Sequence, residues 1–124
     1  MRRISPRTHA IVDYVLGIFF LFAPVWLGVA GAPGRIFQAL GVIILLQAIM
    51  TRWPLGLVRA IPLRTHLRLD VVFGIFLAIS PWLLGFSAAS WMPHVIFGLA
   101  IMGQALMTRD DVITGAVTDI RRAA

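Results

Sequence analysis

The chain contains no cysteine, no lysine and no glutamate. Without cysteine there is no disulfide, no thiol nucleophile and no thiolate metal site. All eleven basic residues are arginine and all five acidic residues are aspartate. Charged residues make up only 13% of the 124, about half the share of an average soluble domain. That scarcity excludes a disordered chain, which needs charge and little hydrophobicity. The net charge of +6 does not point to nucleic acid, because the arginines sit at the ends of apolar runs and form no basic stripe. There is no glycine-rich phosphate loop, no Walker sequence and no serine elbow. No enzyme is expected, and no catalytic residue, cofactor, metal or nucleic-acid partner is assigned.

Hydrophobic residues make up 60% of the chain and the mean hydropathy is +0.92. A body this small leaves much of its surface exposed, so the excess apolar surface must face something apolar. The lipid bilayer is the expected partner. A cleavable signal peptide is not expected, since the first apolar run leads directly into more sequence of the same kind.

Sliding the chain against itself by 57 residues gives an ungapped match from Arg7 to Arg52. Arg7-Thr8-His9 meets Arg64-Thr65-His66, Asp13 meets Asp70, and Gly17-Ile18-Phe19 meets Gly74-Ile75-Phe76. Pro24 meets Pro81, Gly41 meets Gly98, Gln47-Ala48 meets Gln104-Ala105, and Met50-Thr51-Arg52 meets Met107-Thr108-Arg109. Chance does not produce this pattern, so the chain reads as a tandem duplication. The spacing predicts repeat one over 6–52, a linker over 53–62, repeat two over 63–109 and a cytoplasmic tail over 110–124, within one membrane domain spanning 1–124.

Each repeat holds two uncharged runs: Tyr14 to Gly34 and Ile36 to Thr51, then Val71 to Pro93 and Val95 to Thr108. A bilayer core takes roughly 20 helical residues, and helices satisfy their own backbone groups in lipid. The expected fold is an all-α membrane protein with four transmembrane helices near 9–30, 34–52, 66–87 and 91–108. Two helices per repeat is an even number, so the repeats insert parallel, related by an axis along the membrane normal. Arg35 alone lies in a hairpin opposite the termini. The positive-inside rule then places both termini and the linker in the cytoplasm, with Trp26, Trp82 and Trp91 near the outer interface and Trp53 near the inner one.

The tripeptide Ser80-Pro81-Trp82 lies late in the first helix of the second repeat. In this the chain resembles the SPW-repeat family of small prokaryotic integral membrane proteins. The first repeat reads Ala23-Pro24-Val25-Trp26, with the serine replaced and the tryptophan one place late. The resemblance implies two transmembrane helices per repeat and a multi-pass location in the prokaryotic inner membrane. It implies no activity.

Helical spacing puts His9, Asp13, Gly17, Pro24 and Gly28 on one stripe about 100° wide, repeated by His66, Asp70, Gly74, Pro81 and Gly85. Gln47 and Arg52, like Gln104 and Arg109, share a face of the second helix of each repeat. Polar and small faces pack inward in membranes. Asp13, Gln47, Asp70 and Gln104 all fall about 8–9 Å inside the cytoplasmic boundary, so they are predicted to form one polar layer, roofed by His9, His66, Arg52 and Arg109. The simplest role is structural, with Thr8 and Thr65 as N-caps and Asp–Arg pairs stapling helices. His9, Asp13, His66 and Asp70 could also offer two imidazoles and two carboxylates to a divalent ion, although flanking arginines would repel it. Pro24 and Pro81 should kink their helices. His94, beside Pro93, reads as an outer-interface residue without a counterpart. The expected function is a non-enzymatic structural or interaction module that packs with itself or another membrane protein. The alternative is a small proton-coupled transporter or channel using Asp13 and Asp70.

Overall fold

A computed structural model describes residues 3–110 and 123. The expected tail lies almost wholly outside the described residues. The fold is all-α, with five helices: α1 (Pro6–Leu21), α2 (Ala23–Trp26), α3 (Gly31–Met50), α4 (Leu63–Leu83) and α5 (Met92–Met107). Four were expected; the fifth arises because the first is broken at Phe22. The capping expectation also fails. Ser5 caps α1 by accepting from the Thr8 N–H at 3.1 Å, with Pro6 as the first helical residue. Pro62 precedes α4 without a side-chain cap. Thr8 and Thr65 lie inside the first turns.

The two prolines explain why one helix breaks and the other does not. A proline inside a helix leaves the carbonyl four residues back without its N–H partner. For Pro81 that carbonyl is Leu77, and the Ser80 hydroxyl donates to it at 2.8 Å. Helix α4 therefore runs through Pro81 to Leu83. In the first repeat Ala23 stands where Ser80 does and has no hydroxyl to offer. The chain stops at Leu21 and restarts at Ala23, with Pro24 in the first turn of α2. Gln38 Nε2 then donates to the freed Leu21 carbonyl at 3.2 Å; the matching position in the second repeat is the apolar Val95. After each first-helix segment, Gly28 (φ 62°) and Gly85 (φ 77°) take the left-handed conformation that turns the chain.

Helix α1 packs on α3, and α4 on α5. Both contacts are glycine crossings. A Cβ at Gly41 would stand 2.8 Å from the Gly17 carbonyl oxygen, and one at Gly98 2.6 Å from the Gly74 oxygen. Such close backbone approach is how helices associate where no hydrophobic effect drives them together. Between the two pairs, Phe20 and Phe37 from the first repeat interlock with Phe97, Leu77 and Ile101 from the second. Phe97 lies 5.4 Å from Phe20 and 5.9 Å from Phe37, edge to face.

The helix ends cross over between repeats. Ile4 bridges to Thr108 and Ile61 to Thr51. Ile4 N–H donates to the Met107 carbonyl at 3.0 Å, and Ile61 N–H to the Met50 carbonyl at 2.7 Å. Each bond satisfies a carbonyl that the end of a helix leaves open.

The outward faces of the long helices are apolar: Ile11, Val15 and Ile18 on α1, Val42 and Leu46 on α3, Val72, Ile75 and Ile79 on α4, and Ile96 and Leu99 on α5 are exposed. Trp26 and Trp82 are 62% and 57% exposed. Helices α3 and α4 are long and apolar enough to cross a membrane, and α5 is a shorter apolar helix. These features suggest membrane association.

Replacing Ser80 by alanine reproduces the chemistry of the first repeat and leaves the Leu77 carbonyl unpaired beside Pro81. The expected outcome is a loss of about 1 kcal/mol or more, read as a lower thermal midpoint in detergent, with Ser80→Thr retaining most of the stability.

Candidate functional site

His9 and Asp13 sit one turn apart on α1, and His66 and Asp70 one turn apart on α4. All four side chains are buried. Each finds its closest ionic partner in the other repeat. His9 Nε2 lies 3.0 Å from Asp70 Oδ2, and His66 Nε2 lies 2.9 Å from Asp13 Oδ2. Contacts along each helix close the ring, with His9 Nε2 3.3 Å from Asp13 Oδ1 and His66 Nε2 3.1 Å from Asp70 Oδ2. Each Nε2 therefore faces both carboxylates.

The ring is held from both sides. Gln47 Nε2 donates to Asp70 Oδ1 and Gln104 Nε2 to Asp13 Oδ1, each at 2.7 Å. His9 Nδ1 lies 2.6 Å from Thr108 Oγ1, and His66 Nδ1 lies 2.7 Å from Thr51 Oγ1. Two chains result, Thr108–His9–Asp70–Gln47 and Thr51–His66–Asp13–Gln104, and members of each alternate between repeats.

The threonines fix the proton positions. The Thr51 hydroxyl donates its single proton to the Gln47 carbonyl at 2.6 Å, and Thr108 donates to the Gln104 carbonyl at 2.7 Å. Each Oγ1 must then accept from the histidine beside it, so Nδ1 carries a proton in both rings. Nε2 is left to the carboxylates. Among the described residues, no buried side-chain nitrogen or oxygen lacks a partner.

Trp53 closes one side. It is 4% exposed, its Nε1 donates to the Ala48 carbonyl at 2.8 Å, and its ring lies 4.3 Å from that of His66 and 5.6 Å from that of His9. Expected near the inner interface, it is buried as a lid over the imidazoles. The matching position in the second repeat is Asp110, whose carboxylate lies 3.7 Å from Arg64.

Six of the residues expected in the polar layer meet there: His9, Asp13, Gln47, His66, Asp70 and Gln104. The histidines are ring members, not a roof. Arg52 is exposed, and its Nε donates to the Arg59 carbonyl at 3.1 Å. Arg109 is exposed as well. A long guanidinium side chain keeps its head in polar surroundings, and the histidines already occupy the carboxylates, so the expected Asp–Arg staple is an Asp–His one. Thr51 and Thr108 were not foreseen as members. Their signal was present, since both follow a glutamine by one turn and both recur at the 57-residue offset.

His94 also departs from expectation. It is fully buried at the other end of the core, with Nε2 3.1 Å from the Pro33 carbonyl and its ring 4.5 Å from that of Phe37. Phe37 is its counterpart at the offset of 57. Pro81 and Ser80 are buried near that same end, whereas Trp82 faces outward, 6.3 Å from Trp91.

Thr51→Val and Thr108→Val each keep the shape of the side chain and strand a buried Nδ1–H. Both variants should lose about 1–3 kcal/mol and by similar amounts, measured as thermal midpoints of the purified protein. A neutral result for either would mean that its histidine does not depend on the hydroxyl.

A family profile described as SPW repeat domain matches residues 7–108, a span that contains every residue of the ring and its supports. No curated protein and no solved structure matches the chain.

Proposed function

The chain belongs to the SPW repeat family, and from that premise we propose that it is a four-span inner-membrane module without enzymatic activity, which acts by packing with itself or with another membrane protein. The observation that carries this reading is the distribution of polarity. The described helices bury histidine, aspartate, glutamine and threonine, and they expose isoleucine, valine and leucine. Such an arrangement suits lipid and not water. The spans in this reading are α1 with α2, α3, α4 and α5. The shorter ones need local thinning of the bilayer or anchoring residues at their ends, which Trp26, Trp82 and Trp91 supply on the outer side. Ten of the eleven arginines fall on the side of the termini and the linker, which favours a cytoplasmic location for both.

A packing role follows from where the polar groups are spent. They satisfy one another inside, so the groups left to act on a partner are on the lipid-facing helix surfaces. On α5, Ala100 is exposed and a Cβ at Gly103 would meet nothing within 4 Å. Small residues on an outer face allow a second helix to approach closely. One observation favours a second reading, a proton-coupled transporter or channel. Each of two imidazoles sits within 3.3 Å of both of two carboxylates, and intramembrane groups of this kind relay protons elsewhere. Proteoliposomes with an imposed pH gradient test that reading; proton flux lost on Asp13→Asn with Asp70→Asn would favour it over the packing module.

The absence of cysteine makes the topology directly measurable. Single cysteines at Ala88 and at Leu57, which is 80% exposed, can be labelled in spheroplasts with a membrane-impermeant maleimide. The expected result is labelling of Ala88→Cys from outside and of Leu57→Cys only after permeabilisation. Labelling of both from one side would overturn the four-span arrangement. Crosslinking in native membranes should trap a neighbour through α5.

A further inference from the structure

We propose that the crossed His–Asp ring is a binding site for one divalent transition-metal ion of the zinc class. Its ligands are His9 Nε2, His66 Nε2 and one carboxylate oxygen each from Asp13 and Asp70. These candidate ligand atoms all lie within 4.8 Å of one another. Each Nε2 lies 2.9 to 3.3 Å from an oxygen of both carboxylates, through Oδ2 of Asp70 in both contacts and through Oδ1 or Oδ2 of Asp13. An ion about 2.0 Å from each of four ligands sets neighbouring ligand atoms about 2.8 Å apart in a square and about 3.3 Å apart in a tetrahedron. The nitrogen–oxygen contacts already have those lengths, and an ion enters by drawing the remaining ligand pairs, all within 4.8 Å, to the same spacing.

The surroundings prepare the same four atoms for a metal. Thr51 and Thr108 hold a proton on each Nδ1, which turns the Nε2 of each ring toward the centre as the ligating nitrogen. Gln47 and Gln104 each donate to a carboxylate of the ring and restrain its rotation. Metal-bound histidines and carboxylates are oriented by outer hydrogen bonds of this kind, and ligand affinity depends on them. Charge agrees as well. Two buried carboxylates carry two negative charges, and one divalent ion cancels both. Arg52, which would oppose a cation, is exposed and bonded to the Arg59 carbonyl. Two imidazoles and two carboxylates, with no thiolate, suit zinc, cobalt, iron or manganese. Calcium and magnesium ask for six or more oxygen ligands.

The test uses the full-length chain, purified in mild detergent and stripped with a chelator. Cobalt(II) is titrated in and followed by its visible d–d absorption, and zinc(II) is then added in competition. The expected result is saturation at one equivalent per chain, with visible bands typical of four-coordinate cobalt and none of the charge transfer that thiolates give. Zinc should displace the cobalt. Asp13→Asn with Asp70→Asn should abolish the signal, and Thr51→Val, which leaves all four ligands in place, should weaken binding at least about tenfold. X-ray absorption of the zinc form should show two imidazoles and two further oxygen ligands. If the native chain yields no d–d signal, or if binding is unchanged in the double variant, the proposal is overturned. The second outcome would mark an adventitious ion at the surface. The inference rests on the ring geometry and not on the membrane topology, so the labelling experiment and the titration can fail independently.

Discussion

The structure depends on a buried ionic contact that neither repeat can make alone. His9 needs Asp70 and Thr108 from the second repeat, and His66 needs Asp13 and Thr51 from the first. Breaking a buried ion pair by removing one member leaves an uncompensated charge or an unpaired donor, at a cost of several kcal/mol. The two halves are therefore held in one relative position by the requirement that four histidine nitrogens find their partners together. The aromatic packing of Phe20, Phe37 and Phe97 adds area to the same interface. It is the polar ring that fixes the register, because a shift of one helical turn would move every hydrogen bond at once.

Local spacing explains why the ring and its supports were partly legible in the sequence. His9 and Asp13 are separated by four residues, as are His66 and Asp70, so each pair must share a helix face. The offset of 57 tied the two faces together, and the distances to Arg7 and Arg52 put aspartates and glutamines at one depth. What spacing cannot give is the choice of partner. Aspartate could have met arginine or histidine across the helices, and only the packed structure shows that histidine is nearer and that Arg52 is exposed. The burial of Trp53 was not legible for a related reason. A tryptophan just beyond a transmembrane helix is ordinarily interfacial, but here the chain after Thr51 folds back, with the Leu57 and Val58 N–H groups bonding the Ile49 carbonyl, and this tucks the indole over the histidines.

The broken first helix shows how a one-residue difference propagates. Ser80 donates a hydroxyl to the carbonyl that Pro81 leaves open, and α4 continues. Ala23 cannot, and α1 ends. The bond from Gln38 to the Leu21 carbonyl is a compensation in the first repeat that the second does not need. A hydropathy reading treats both segments as one long apolar run, because it counts side chains and not the hydrogen bonds available to the backbone around a proline.

The agreement between the two repeats is complete in the ring and incomplete elsewhere. Every residue of the ring and its supports matches, His9 with His66, Asp13 with Asp70, Gln47 with Gln104 and Thr51 with Thr108, as do the glycines of the helix crossings, Gly17 with Gly74 and Gly41 with Gly98. Mismatched residues lie around the ring or at the far end of the core: Trp53 with Asp110, Phe37 with His94, Ala23 with Ser80, Gln38 with Val95. A ring whose shortest contacts cross between halves needs both copies to carry the same groups, since a change in one strands its partner in the other. Positions outside both the ring and the glycine crossings can serve one half only, as the Trp53 lid and the His94–Pro33 bond do. A single repeat would hold a histidine and an aspartate with contact only along their own helix and with Nδ1 unpaired, in surroundings where an unpaired polar group is costly. The smallest unit that satisfies the ring is thus two repeats, either joined in one chain as here or as two chains related by symmetry.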